Sequence, residues 1–338
     1  MRHLEAFSLG KKFGHPETNE DSLVVLPNRG YAVIDGVTDR NGTRYGGMLS
    51  GQFASQTVQR AIETFMLAQG RSDQPELQFQ GGEHFVAYLG KAIHAGYEEN
   101  GALAAVEADW KLRGGCTVVA ALIIGDRLEV IAVGDSGIRI NGTDTLQVLK
   151  PLDDITAILR RETWRYFEAQ GKPAEEADRL ATSMTWQGTQ NQPADSPTAE
   201  PTTNAAIEAK ALTACRAHLP SVPEDEILTL IRGGISHGQG KFQNVTEPVL
   251  GYGCIDGFAV PKRYIETRSY SIEGIETIEL FSDGYFKPGA VFGVESWETA
   301  FQEVETEDFH KIGRFMSTKG TTPTQLTDDR TYLGVRFK

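Results

Sequence analysis

The chain has 338 residues, 40% of them apolar and 23% charged, enough to bury a sizeable globular core. Its 46 Asp and Glu outnumber its 33 Lys and Arg, a formal charge of −13 that argues against a phosphate-backbone binder and permits divalent cations as partners. Three scattered cysteines exclude a disulfide framework or a C-x-x-C zinc site, and the longest apolar run, Val118 to Ile124, is too short to cross a bilayer. No stretch of signal-peptide character follows Met1, so the expectation is a cytoplasmic protein without nucleic-acid or membrane partners; oligomeric state is left open.

The predicted elements begin with two β-branched runs bounded by turn residues, Ser22 to Pro27 and Gly30 to Asp35. Two amphipathic helices follow. In 49–67, Phe53, Val58, Ile62, Phe65 and Met66 recur at three- and four-residue spacing; in 83–99, Phe85, Leu89, Ile93 and Tyr97 repeat every four. Cys116 to Ile124 and Arg127 to Val133 read as a hairpin turning at Gly125-Asp126. Composition shifts after Pro151. Residues 160–190 are helix-like and charged, whereas Gln187 to Asn204, rich in Gln, Thr, Pro and Ser, reads as a loop or disordered segment. Ile227 to Ile231, Thr277 to Ser282 and Thr331 to Phe337 are read as further strands. Helices in consecutive pairs, not alternating with strands, favour α+β with antiparallel sheets over a doubly wound parallel sheet.

Aspartates punctuate these strands. Asp21 precedes the first, Asp35 and Asp283 end two others as Asp-Gly, and Asp328 and Asp329 precede the last. Each alone is ordinary turn chemistry. Launched together from strand ends, they can converge on one rim of a sheet, where carboxylates repel unless protonated or neutralised by cations. Oxygen-only ligands without neighbouring Cys or His suit Mg²⁺ or Mn²⁺ better than zinc.

Six short motifs in order carry a resemblance across nearly the whole chain: Asn19-Glu20-Asp21, Val33-Ile34-Asp35-Gly36, Gly114-Gly115-Cys116-Thr117, Val133-Gly134-Asp135-Ser136, Phe281-Ser282-Asp283-Gly284 and Asp328-Asp329-Arg330-Thr331. Together the sequence resembles the metal-dependent protein serine/threonine phosphatases of the PP2C (PPM) family. That resemblance implies a four-layer α-β-β-α sandwich of two antiparallel sheets flanked by helix pairs. It implies one catalytic domain over 1–338, here with a helical and polar insertion at about 151–250. It further implies a centre of two Mn²⁺ or Mg²⁺ ions, with Asp35 shared between them, the Gly36 carbonyl on one, Asp283 and Asp328 on the other, and Asp21 acting through water. The substrate class it implies is a phosphoprotein, cleaved at phosphoserine or phosphothreonine by water without a side-chain nucleophile. Three positions depart from the family pattern. The phosphate-gripping Arg five residues before the first aspartate is Pro16 here, with His15 beside it as the candidate phosphate-side residue and Lys11 and Lys12 further back. The residue after Asp35-Gly36 is Val37 where some relatives have His, and Leu112 stands where a further metal aspartate is expected, with Asp109 nearest.

Competing patterns are present. Gly234-Ile235-Ser236-His237-Gly238 matches the G-x-S-x-G nucleophile elbow, with Asp283 and His310 in hydrolase order, but the parallel βαβ units of that fold are missing. Gly134-Asp135-Ser136-Gly137 matches a protease nucleophile motif, though Asp135 reads better as a turn residue. Gly240-Lys241 has the wrong spacing for a phosphate-binding loop. His84, His94, Cys116, Trp164, Trp186 and Trp297 read as packing or surface residues, and Asp256 as a turn aspartate or a cleft residue. A phosphatase-like regulatory or binding module with weak or no turnover is the second functional class.

Overall fold

Tyr31 and Val33 leave their strand on one side and Ala32 and Ile34 on the other, and this alternation organises the first of two units into which the chain divides. The computed structural model describes residues 2–39 and 41–338. The first unit holds the residues up to Leu149 with Gly253–Gln302 and Asp328–Lys338; the second holds Lys150–Tyr252 and Glu303–Thr327.

All strands lie in the first unit: β1 (His3–Leu9), β2 (Ser22–Leu26), β3 (Gly30–Gly36), β4 (Arg44–Tyr45), β5 (Met48–Leu49), β6 (Cys116–Ile124), β7 (Arg127–Val133), β8 (Gly137–Ile140), β9 (Asp144–Leu146), β10 (Glu266–Ser271), β11 (Thr277–Phe281) and β12 (Arg330–Arg336). The helices are α1 (Ser50–Ala68), α2 (Gly82–Glu99), α3 (Leu103–Ala108), α4 (Pro151–Glu168), α5 (Ala174–Gln187), α6 (Pro201–His218), α7 (Glu224–His237) and α8 (Val294–Glu307).

Two five-stranded sheets run β1-β12-β11-β8-β9 and β10-β7-β6-β3-β2, every pairing antiparallel. The predicted hairpin is β6–β7, pairing Ile124 with Arg127 around Gly125, whose φ of +61° suits glycine. From the second sheet, Tyr31, Val33, Val119, Ala121, Val130 and Ala132 meet Ile138, Ile140, Ile278, Leu280, Leu333 and Val335 of the first, forming the core between them. The alternate residues Ala32, Ile34, Val118, Ala120, Ile131 and Val133 face α1 and α2, where Phe53, Val58, Ile62, Phe65, Phe85, Leu89 and Ile93 are buried. The outer face of the other sheet carries Glu279, which the Arg139 guanidinium grips with two bonds of 2.7 Å and to which Trp297 of α8 donates through Nε1 at 2.8 Å. This is the α-β-β-α sandwich expected from the sequence, built from antiparallel sheets.

In the second unit α4 packs on α5, α6 and α7. Arg160 of α4 is fully buried, donating to the carbonyls of His310 and Lys311 and pairing with Asp178. One expectation fails here and a second holds only in part. Ile227 to Ile231 is no strand but part of α7: Ile227, Leu230 and Ile231 share one helical face, and Glu224, Asp225 and Glu226 occupy a first turn that favours acidic groups. The segment Gln187 to Asn204 is a loop only over 188–200, since Pro201 opens α6. That loop is pinned by side chains, not disordered: Gln192 donates to the carbonyls of Ser183 and Gly188 and accepts from the buried Thr198, and Thr189 donates to Glu208.

Candidate functional site

Strand register gathers the acidic residues. Asp35, next to last in β3, lies opposite Thr117 near the start of β6, while Ser22, just after Asp21, pairs with Ile34. Where the chain passes from β7 in one sheet to β8 in the other, Gly134 turns with φ of +84°, its missing Cβ leaving room for Thr117, and Asp135 follows on the same rim. Asp283 comes two residues after Phe281, which pairs with Gly137 and Tyr332. Asp328 and Asp329 lead into Arg330, paired with Leu9 at the end of β1. The charges of Asp283, Asp21, Asp328 and Asp135 all act on Asp35.

The electrostatics record the crowding. Burial, reinforced by those four neighbours, holds the Asp35 carboxyl well above the usual carboxylate range. Burial and then Asp329 push Asp21 up to about 7, against hydrogen bonds from Thr331 and Ser282 that oppose the rise. Asp21 Oδ2 accepts from Ser282 Oγ at 2.8 Å, while its Oδ1 is buried with no hydrogen-bond partner among the described residues. Gly36 is where the backbone needs no side chain: a Cβ there would stand 2.6 Å from the Gly51 carbonyl oxygen and 2.7 Å from that of Glu20. This closeness brings the N-terminus of α1 against the rim.

Opposite these acids sits a lysine. Lys11 is 5% exposed, and its ammonium donates at 3.0 Å to each of Glu20 Oε2, Thr38 Oγ1, Asp328 Oδ1 and Asp329 Oδ2. Its own backbone N–H donates to Asp329 Oδ1 at 2.6 Å. Burial alone would lower its pKa, but the three carboxylates outweigh that and hold it well above the ordinary lysine value. Glu20, Asp135 and Asp329 were not singled out as site residues from sequence; Glu20 and Asp329 adjoin predicted site residues, and Asp135 lies in one of the six motifs. His15 is exposed on the loop before β2, where its ring pairs with Glu17 at 3.0 Å.

The donor set consists of oxygens only, with one buried carboxylate oxygen lacking a partner and a second carboxyl raised by its neighbours. That chemistry fits a hard divalent cation on the Asp21, Asp35 and Asp283 side. As they stand, no three Asp, Glu, His or Cys side chains among the described residues are arranged to hold a metal ion, and Asp328 is engaged by Lys11.

The hydrolase look-alikes lack their geometry. Ser236 lies in the last turn of α7 instead of on a strand-to-helix elbow, and its buried hydroxyl has no hydrogen-bond partner among the described residues, His310 included. Ser136 is fully buried and shares its hydroxyl with Thr117 at 2.8 Å. Asp256 is a buried turn residue that accepts from the Phe258 backbone at 3.2 Å and faces Arg113.

No family model and no curated protein matches the chain. Among solved structures it is similar to the serine/threonine phosphatase Stp1 from Staphylococcus aureus, at 13% identity over 100% of this chain and 96% of that one, with a TM-score of 0.45. It is similar also to the Mycobacterium tuberculosis serine/threonine phosphatase PstP/Ppp, at 17% identity over 99% and 98%, TM-score 0.42. A third is the catalytic domain of the serine/threonine protein phosphatase PstP in complex with two manganese ions, at 16% identity over 98% and 96%, TM-score 0.39.

Proposed function

We propose that the protein is a metal-dependent phosphatase that hydrolyses phosphomonoesters, with phosphoserine and phosphothreonine of proteins as its substrate class. The observation that carries this is the gathering of Asp21, Asp135 and Asp283 around Asp35, with Asp35 raised by burial and by those neighbours and Asp21 raised by burial and by Asp329. A scaffold without use for cations has no physical reason to crowd carboxylates this way. In this reading Asp35 and Asp283 hold the cation, with the Gly36 carbonyl beside them. A divalent cation there supplies Lewis acidity toward water and neutralises charge on a phosphoryl group. The chain's own contribution is to fix the carboxylates. Ser282 orients Asp21 by donating to its Oδ2. No serine nucleophile takes part.

The test is hydrolysis of an aryl phosphate and of phosphoserine and phosphothreonine peptides in Mn²⁺, against chelator, with inhibitors that modify serine hydrolases as control. Activity that survives chelation would reject the proposal. A second reading, a phosphatase-like binding module with weak or no turnover, is favoured by one observation, the ammonium of Lys11 lodged among Glu20, Asp328 and Asp329. Absent turnover with retained Mn²⁺ binding would select it.

A further inference from the structure

Lys11 reaches the acidic rim because of strand register. Leu9 pairs with Arg330, so the residues that continue from β1 and those that lead into β12 face each other, and Lys11 meets Asp329 and Asp328. Glu20 and Thr38 close the other side. The result is a cation with four oxygens at 3.0 Å, three of them from carboxylates, almost wholly shielded from water. It is tethered through its backbone as well as its side chain.

We propose that the Lys11 ammonium is a resident cation that permanently fills the Glu20, Asp328 and Asp329 side of the rim, so that the chain takes up one divalent ion, on the Asp35 and Asp283 side, in place of two. An incoming ion on the lysine's side would have to break charge-assisted bonds to three carboxylates and strand a buried ammonium beside itself. Tethering keeps the ammonium at high local concentration whatever the concentration of metal outside. On the other side, Asp21 Oδ1 is buried with no hydrogen-bond partner among the described residues. The inference rests on the cation-binding reading of the rim and changes its stoichiometry and ligand set, taking Asp328 out of it.

The experiment measures Mn²⁺ per chain by equilibrium dialysis and elemental analysis on chelator-stripped wild type, Lys11→Met and Asp35→Asn. Lys11→Met is expected to take up one more ion per chain than wild type, and to gain more in melting temperature than wild type does when Mn²⁺ replaces chelator. In parallel, wild type is treated with an amine-acylating reagent and mapped by mass spectrometry. Lys11 is expected to resist labelling equally with and without Mn²⁺. Equal Mn²⁺ uptake by wild type and Lys11→Met, or Mn²⁺-induced labelling of Lys11, overturns the resident-cation proposal alone. Absence of Mn²⁺ binding in every protein overturns it together with the metal-dependent reading. Should Lys11→Met not fold, the labelling of wild type decides.

Discussion

Ser282 donates its hydroxyl proton to Asp21 Oδ2 at 2.8 Å, joining the end of β11 to the residue that leads into β2 in the opposite sheet. Ser282 Oγ also accepts from the Thr331 backbone N–H at 2.9 Å, so one buried side chain serves a carboxylate and a strand amide. Ser282→Ala would take a donor from Asp21 and an acceptor from the Thr331 amide in a buried place, at a cost of about 1–3 kcal/mol. Urea unfolding should show the unfolding free energy falling by that much. A change within 0.3 kcal/mol would mean that neither bond matters to the fold.

Asp21 gives a pH signature. Its folded pKa, about 7, lies above its ordinary 3.8, so folding favours the protonated form. Its contribution to stability is therefore fully present below about pH 4 and is lost as pH rises toward and past 7. The displacement corresponds to a loss on the order of 4 kcal/mol. Asp21→Asn mimics the protonated acid and has nothing to lose. In chelator, the stability of the variant relative to wild type should rise between pH 4 and 7 and then level off. A flat difference across that range would count against a buried, crowded Asp21.

Backbone approach at the rim is tested by glycine. Gly36→Ala would press a methyl group against two carbonyl oxygens that belong to backbone and cannot swing away. Overpacking of this kind costs typically 1–3 kcal/mol, and more where backbone must move. Gly274→Ala is the control, with nothing within 4 Å of the added carbon. Melting temperatures should separate the two, the first falling by several degrees and the second staying put.

The sandwich and its rim were legible because they rest on local signals. β3 and β6 are β-branched runs buried on both faces, and the Asp-Gly pairs mark strand ends that register then aligns. β1 was missed because its residues are mostly exposed or half-buried, so its seven residues carry no alternation, and it exists as the partner of β12. α7 was misread because a five-residue apolar run fits either element; its acidic first turn and Pro223 just before it were the signals for a helix. The order in 188–200 comes from side-chain hydrogen bonds between residues that show no pattern in sequence. The role of Lys11 was least accessible. Two adjacent lysines in a polar loop give no hint that one is buried, because its partners Asp328 and Asp329 are more than 300 residues away and meet it only through the β1–β12 pairing.

The last prediction concerns turnover. Among the charges around it, Asp283 does most to raise Asp35, and these two carboxylates are the proposed holders of the cation. Asp35→Asn and Asp283→Asn each remove one formal negative charge while keeping nearly the same volume. Each variant should bind Mn²⁺ more weakly and lose turnover toward an aryl phosphate; a lost transition-state contribution of about 4 kcal/mol slows the reaction on the order of a thousandfold. Folding should not suffer in parallel. In chelator, removing one charge from the cluster relieves the repulsion that raises Asp35, so the melting temperature should hold or rise. Ser236→Ala should leave turnover unchanged, because that hydroxyl has no hydrogen-bond partner among the described residues and stands in the last turn of α7. The informative comparison is all three variants in Mn²⁺ for rate and in chelator for stability. Loss of rate in Ser236→Ala with the two aspartate variants unaffected would replace the cation-dependent mechanism with a serine nucleophile; loss of rate in the aspartate variants accompanied by unfolding would make those carboxylates structural.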